Sequence, residues 1–233
     1  MADLLLFEST RTEPGKYLTL AQYALAMPAD QKEIYYLIGD TRSEIENSPY
    51  LELFRSRGQD VLLLTDPIDE FVVSSLRKYK DRELKAVNQG ELPVGGEELK
   101  EKIERHKGLL DYLKGKLDEV QDVRLSVRLK ESAACLVAGE DGVTAHMERL
   151  MQRMGRGDLA PSKRVLELNP DHPAVTAMRE LFARNPADAR LEAYARLLYD
   201  QAVLAEGSKV KDPSALARRI NDLLMRDAQA AQG

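Results

Sequence analysis

Two short apolar runs separated by a helical stretch constrain this chain more than any other feature. Glu33-Ile34-Tyr35-Tyr36-Leu37-Ile38-Gly39-Asp40 and Val61-Leu62-Leu63-Leu64-Thr65 are continuous rather than alternating. Continuity over so few residues predicts strands buried on both faces. Between them, residues 41–56 predict a helical segment that breaks and restarts at Asn47-Ser48-Pro49. Ser48 suits the cap and Pro49 the first turn, where its missing N–H costs nothing. Gly58 closes the segment, and Asp66-Pro67 opens another helix carrying Ile68, Phe71, Val72 and Leu76 at helical spacing. A strand–helix–strand–helix order implies a parallel pair joined by a right-handed crossover. With the short opening run at residues 4–7, this predicts a small three-layer α/β segment over residues 1–90.

The rest of the chain, residues 91–233, predicts an α+β domain. Three glycines and a proline fall within Gly90-Glu91-Leu92-Pro93-Val94-Gly95-Gly96, which reads as a linker. A helix follows with Leu99, Ile103, Leu110, Leu113 and Leu117 on one stripe. Residues 123–129 alternate cleanly and residues 133–138 are apolar; alternation predicts one buried and one wet face, as in an antiparallel sheet. Residues 143–154 predict a helix and 164–168 a third strand. Asn169-Pro170-Asp171-His172-Pro173 signals a turn and a helix start, with His172 serving the turn. Three helices fill the remainder, at 173–184, 188–206 and 213–226. The expected class is α/β, α+β overall, ending in a helical hairpin that builds a four-helix-bundle dimer interface.

The composition excludes several functions. Thirty-four Lys and Arg are interleaved with 39 Asp and Glu for a net charge of −5, so no basic footprint points to nucleic acid. No run approaches the ~20 apolar residues that span a bilayer, and no signal pattern opens the chain, so no membrane association and a cytoplasmic location are expected. The single cysteine, Cys135, lies in Ala133-Ala134-Cys135-Leu136-Val137, the setting of a small buried hydrophobe. Phosphate-loop, dinucleotide and nucleophile-elbow patterns do not occur. His106, His146 and His172 are far apart in sequence, with none in a metal-ligand spacing. Asp69-Glu70 and Glu97-Glu98 fall in first helical turns, where carboxylates meet the helix dipole favourably. Catalytic, cofactor and metal residues are therefore expected to be none.

Two helices carry more apolar surface than one chain end needs. In the 188–206 helix, Leu191, Tyr194, Ala195, Leu198, Ala202 and Ala205 form a stripe that Leu197 and Leu204 widen. The 213–226 helix, capped by Asp212, puts Leu216, Ile220, Leu223 and Leu224 on one face. Pairing with the same hairpin of a second copy would bury both, and two-fold closure is the commonest solution; the alternative is that both fold back onto the sheet. The helix around Met147 is the second such surface. Val143, Met147, Leu150, Met151 and Met154 share a face, and glycines 139, 142, 155 and 157 flank it. A flexible thioether stripe fits either an adaptable binding surface or a core.

Read in order, Leu6-Phe7-Glu8-Ser9-Thr10, residues 33–40 (EIYYLIGD), 48–54 (SPYLELF), 58–70 (GQDVLLLTDPIDE), 122–129 (DVRLSVRL), 166–172 (LELNPDH), 197–206 (LLYDQAVLAE) and 212–224 (DPSALARRINDLL) resemble the C-terminal portion of heat-shock protein 90 chaperones, most closely the bacterial kind. The resemblance implies that residues 1–90 are the last part of the middle domain and 91–233 the C-terminal dimerisation domain. It further implies that the family's ATP- and Mg-binding domain and catalytic arginine lie upstream of Met1, so that this chain is no enzyme and takes no cofactor. The family dimerises through the two terminal helices. Its client contact maps onto the Met147 helix and Phe71, where the bacterial pattern often has tryptophan. The tail from Asp227 to Gly233 lacks the acidic peptide that recruits co-chaperones, so none are expected. The resulting expectation is a homodimer that contacts non-native client proteins as part of an ATP-dependent chaperone; its rival is a structural dimerisation scaffold with no client role.

Overall fold

The structure, a computed structural model, describes residues 2–92, 96–140, 142–155 and 162–231. The chain groups into two compact units, and neither is contiguous. The first comprises residues 1–94, 127–131 and 137–163; the second comprises 95–126, 132–136 and 164–233. Residues expected on the far side of the 90–96 linker thus return to the first unit. Of that linker, residues 93–95 lie outside the described residues, as does Gly157 beside the Met147 helix.

The first unit is built on a six-stranded mixed sheet of order β2-β1-β4-β3-β6-β5. Its strands are β1 (Leu6–Ser9), β2 (Leu18–Thr19), β3 (Ile34–Ile38), β4 (Leu62–Leu64), β5 (Lys78–Tyr79) and β6 (Arg82–Ala86). The two continuous apolar runs are β3 and β4, and they pair in parallel as expected, Leu37 opposite Leu63. All three β4 residues are buried. Between β3 and β4 the helical segment is broken at the expected place, into α2 (Arg42–Glu46), a 3₁₀ turn (Pro49–Leu51) and α3 (Glu52–Ser56). Ser48 Oγ accepts from the Tyr50 N–H, capping that turn. Gly39 is required where β3 meets α2, since a Cβ there would come within 2.7 Å of Ile45.

Helices α1 (Leu20–Ala26) and α4 (Asp69–Leu76) help cover the sheet. Their core includes Phe7, Leu20, Tyr23, Ile34, Leu62, Leu64, Val73 and Tyr79. The sequence reading missed α1, although its capping box is explicit: the Gln22 N–H donates to Thr19 Oγ1, and Gln22 Oε1 accepts from the Thr19 N–H.

The returning segments close this unit by hydrogen bonding. Arg128, expected on a wet strand face, is fully buried. Its guanidinium donates to the Val87 and Gly90 carbonyls, the latter at 2.8 Å. The Leu53 N–H donates to the Arg128 carbonyl, and Glu52 Oε2 accepts the N–H groups of Lys130 and Glu131. Gly90 N–H donates to the Ala138 carbonyl at 2.9 Å.

In the second unit α5 (Glu97–Lys116) lays Leu109, Leu110 and Leu113 on a sheet of order β7-β9-β8. These strands are β7 (Val120–Leu125), β8 (Ala134–Val137) and β9 (Arg164–Leu168). The antiparallel expectation is corrected: β7 runs parallel to β9, Val123 opposite Leu166. The alternation in β7 reflects one face covered by α5 and one left open, which strand direction does not decide. Arg124 sits opposite Glu167 in this register and bonds it at 2.8 Å. Helices α7 (Pro173–Arg184), α8 (Arg190–Ala205) and α9 (Pro213–Ala230) follow. His172 caps α7, Nδ1 accepting from the Ala174 N–H, as the turn signal predicted. Cys135 is buried.

His106 on α5 gives this unit a pH signature. It is buried; Nδ1 lies 2.7 Å from the Lys102 carbonyl and so carries the proton, while Nε2 meets no hydrogen-bond partner among the described residues. Burial holds its pKa below the ordinary 6.5. The unfolded chain therefore binds the proton more readily, and folding stability falls as pH drops below about 6.5. His106→Gln, which can still donate to Lys102, is expected to flatten the decline of Tm between pH 7 and pH 5. An unchanged slope would assign the acid sensitivity elsewhere.

Candidate protein-interaction sites

The terminal helices divide sharply in their burial. On α8, Leu191, Ala195, Leu198 and Ala202 are buried, and Ala195, Leu198 and Ala202 belong to the core of their own unit. The expectation that both terminal helices lack partners at home therefore fails for α8, whose stripe is largely consumed within the chain. Tyr194 and Leu197 stay half-buried, and Leu204 and Ala205 are exposed. Helix α9 is the opposite case, for none of its residues is buried. Ile220, Leu223, Leu224 and Met225 are 44%, 37%, 62% and 57% exposed, and Leu216 is half-buried. An 18-residue helix with an apolar stripe left in water is unfinished as a folded surface. Beside it, α7, α8 and α9 line a groove of about 670 Å³ whose walls include Leu181, Tyr194, Leu197 and Leu223.

The Met147 helix, α6 (Ala145–Arg153), belongs to the first unit. Thr144 caps it, its hydroxyl accepting the Met147 N–H at 3.2 Å. Val143, Met147, Leu150 and Met151 are half-buried and Met154 is 55% exposed. Met147 and Met151 face a cavity of about 240 Å³, shared with Tyr36, Ile38, Glu70 and Val143. Phe71 on α4 is 48% exposed.

A polar latch that sequence reading did not find holds α6 in place. His146 Nδ1 lies 2.9 Å from Glu70 Oε1, and both side chains are buried. Glu70 is thus the buried partner of a histidine 76 residues away, not simply a first-turn carboxylate. Further along, Arg153 donates to both oxygens of Asp40 at 3.1 and 3.4 Å. That hydrogen bond, with the nearby Arg149 and His146, holds the Asp40 carboxyl below the usual carboxylate range. The only sequence signal available was the spacing of the polar residues His146, Arg149 and Arg153, three and four apart on one helix face. Glu70→Ala should raise amide exchange across residues 147–153 by about 10- to 100-fold, the equivalent of about 1.5–3 kcal/mol for a hydrogen bond to a charged group. Exchange in β3 and β4 should stay unchanged; equal acceleration in both places would mean general destabilisation.

Comparison with known proteins identifies the chain's relatives. The family model for the Hsp90 protein matches residues 1–232. The chain belongs to the Hsp90 family. It is 48% identical to the chaperone protein HtpG of Geobacter metallireducens over all of its own length and 37% of that relative's. The HtpG chaperones of Geobacter sulfurreducens and Myxococcus xanthus are 46% and 40% identical, over 37% and 36% of their lengths. This Hsp90-family chain thus spans little more than a third of the curated relatives it matches.

These matches overturn two expectations. The Hsp90 model matches residues 1–232, and the HtpG relatives align over the whole chain. Nothing in that agreement sets the chain apart from the family's ATP chemistry. The expectations of no enzymatic role and no cofactor are accordingly withdrawn. Among the described residues, no group of three or more His, Cys, Asp or Glu could hold a metal ion, and no helix is long and apolar enough to cross a membrane.

Proposed function

We propose that this Hsp90-family chain is the dimerisation and client-contact portion of a cytoplasmic HtpG-type chaperone. In this reading residues 1–90 are the end of the middle domain and residues 91–233 the C-terminal domain, the order in which the resembling stretches occur. Two copies pair through α9, with Leu216, Ile220, Leu223 and Leu224 at the centre and the α8 residues Tyr194 and Leu197 beside them. Leu191, Ala195, Leu198 and Ala202 back that surface from within the core. The observation that carries the reading is the apolar face of α9, none of whose residues is fully buried by the described residues. Non-native chains meet Phe71 and the Val143, Met147, Leu150, Met151 and Met154 face of α6. Support comes from the exposure of Phe71 and Met154 and from a cavity that Met147 and Met151 leave open.

The second reading, a dimerisation scaffold without client contact, draws on the half-burial of Met147, Leu150 and Met151. Both readings require the dimer. Light scattering over a hundredfold dilution, on the chain and on a version ending at Lys211, tests it. A cut at Ala187 would instead remove the buried α8 residues and unfold the unit.

A further inference from the structure

We infer that Asp200 and Arg219 form a positioning clasp, which sets α9 on α8 in the geometry that a second copy engages. The inference rests on the dimer reading above and names residues that the reading does not use.

Apolar packing holds α9 only partly, because none of its residues is fully buried. What ties its middle to α8 is an ion pair, Arg219 Nη1 to Asp200 Oδ2 at 2.9 Å. The two ends of this pair are unequal: the Asp200 side chain is 10% exposed and that of Arg219 28%. Arg219 lies three residues after Leu216 and four before Leu223, so it borders the exposed apolar stripe. Asp200 lies three residues after Leu197 and adjoins Gln201, both of which line the groove that Leu223 closes from α9. The clasp therefore stands at the groove where the two helices meet. A directional, charge-assisted hydrogen bond at 2.9 Å favours one rotation and height of α9, which a smooth apolar contact would specify less tightly.

The energetics separate position from stability. Burial pushes the Asp200 carboxyl above its ordinary range, against the pull of Arg219 and of Arg196 one turn earlier; Glu119 and Asp212 push the same way as burial. Keeping Asp200 ionised thus works against folding, and a neutral Asn in its place is relieved of that desolvation cost. Arg219, more than a quarter exposed, can be hydrated when its partner is lost. A residue whose charge opposes folding yet fixes a helix acts through placement.

The test is a double-mutant cycle of Asp200→Asn and Arg219→Gln in the full 233-residue chain. Dimer dissociation is read by sedimentation, and Tm is read at a concentration where the chain is monomeric. Each single variant is expected to weaken the dimer tenfold or more, and the double variant no further, with monomer Tm unchanged or higher for Asp200→Asn. A dissociation constant within twofold of the parent overturns the clasp and leaves the dimer standing. A monomer Tm that falls in step with affinity also overturns it, by giving the pair a merely structural role. A parent chain that is monomeric at every concentration removes the dimer reading itself, and the clasp with it.

Discussion

A chain ending at Lys211 is expected to stay folded and to become monomeric, losing more than a thousandfold in self-affinity. The cut removes α9, which contributes no buried residue, and spares α8, whose Ala195, Leu198 and Ala202 sit in the core with Leu113, Leu166 and Met178. Fully burying a Leu, Ile or Met side chain is worth about 1.5–3 kcal/mol. Ile220, Leu223, Leu224 and Met225 are already about half covered, so each has about 0.8–1.5 kcal/mol left to gain. Over both copies of a two-fold interface the helix offers on the order of 10 kcal/mol before the cost of association. Losing even half of that exceeds the ~4 kcal/mol that a thousandfold change in Kd requires. Far-ultraviolet circular dichroism should drop only by the helical content of α9. If the shortened chain remains a dimer, the interface lies elsewhere and α9 needs another occupant.

Arg128→Leu should lower Tm by about 6–24 °C, the largest single-residue effect expected in the first unit. The guanidinium donates to two buried carbonyls, those of Val87 and Gly90. Hydrogen bonds to a charged group contribute about 1.5–3 kcal/mol each, and their loss leaves both carbonyls buried without that donor. A loss of about 3–6 kcal/mol follows, at about 2–4 °C per kcal/mol for a chain of this size. Arg128→Lys, which can keep one of the bonds, should fall between. A decline below 3 °C for the leucine variant would show that the segment is held by other contacts.

Much of the first unit was legible because its signals are local. Continuous apolar runs gave β3 and β4 and their parallel pairing, and Ser48-Pro49 marked the break between α2 and α3. The terminal hairpin and the turn at His172 were equally plain, since caps and prolines act within a few residues. What stayed hidden depends on partners distant in sequence. Arg128 looked like a wet strand position because alternation continues past Leu125, where β7 ends. Carbonyls of residues about 40 positions earlier help to offset the cost of its burial. Glu70 read as a first-turn carboxylate, and its pairing with His146 stayed hidden for the same reason. The α8 stripe was misjudged differently: amphipathicity says that a face must be covered, and cannot say whether the cover is the same chain or another.

The first unit's discontinuity has a consequence for how the protein is made. Its sheet is fully synthesised once β6 is complete, yet the segments that satisfy Val87, Gly90 and Glu70 end only at residue 163. The two points are 77 residues apart, and at about 5–20 residues per second a ribosome needs roughly 4–15 s to supply them. Arg128 follows the end of β6 by 42 residues and the end of α6 follows it by 67, so the nascent sheet waits first for Arg128 and then for α6. A chain of the chaperone family thus passes through a stage in which it is itself an incomplete fold.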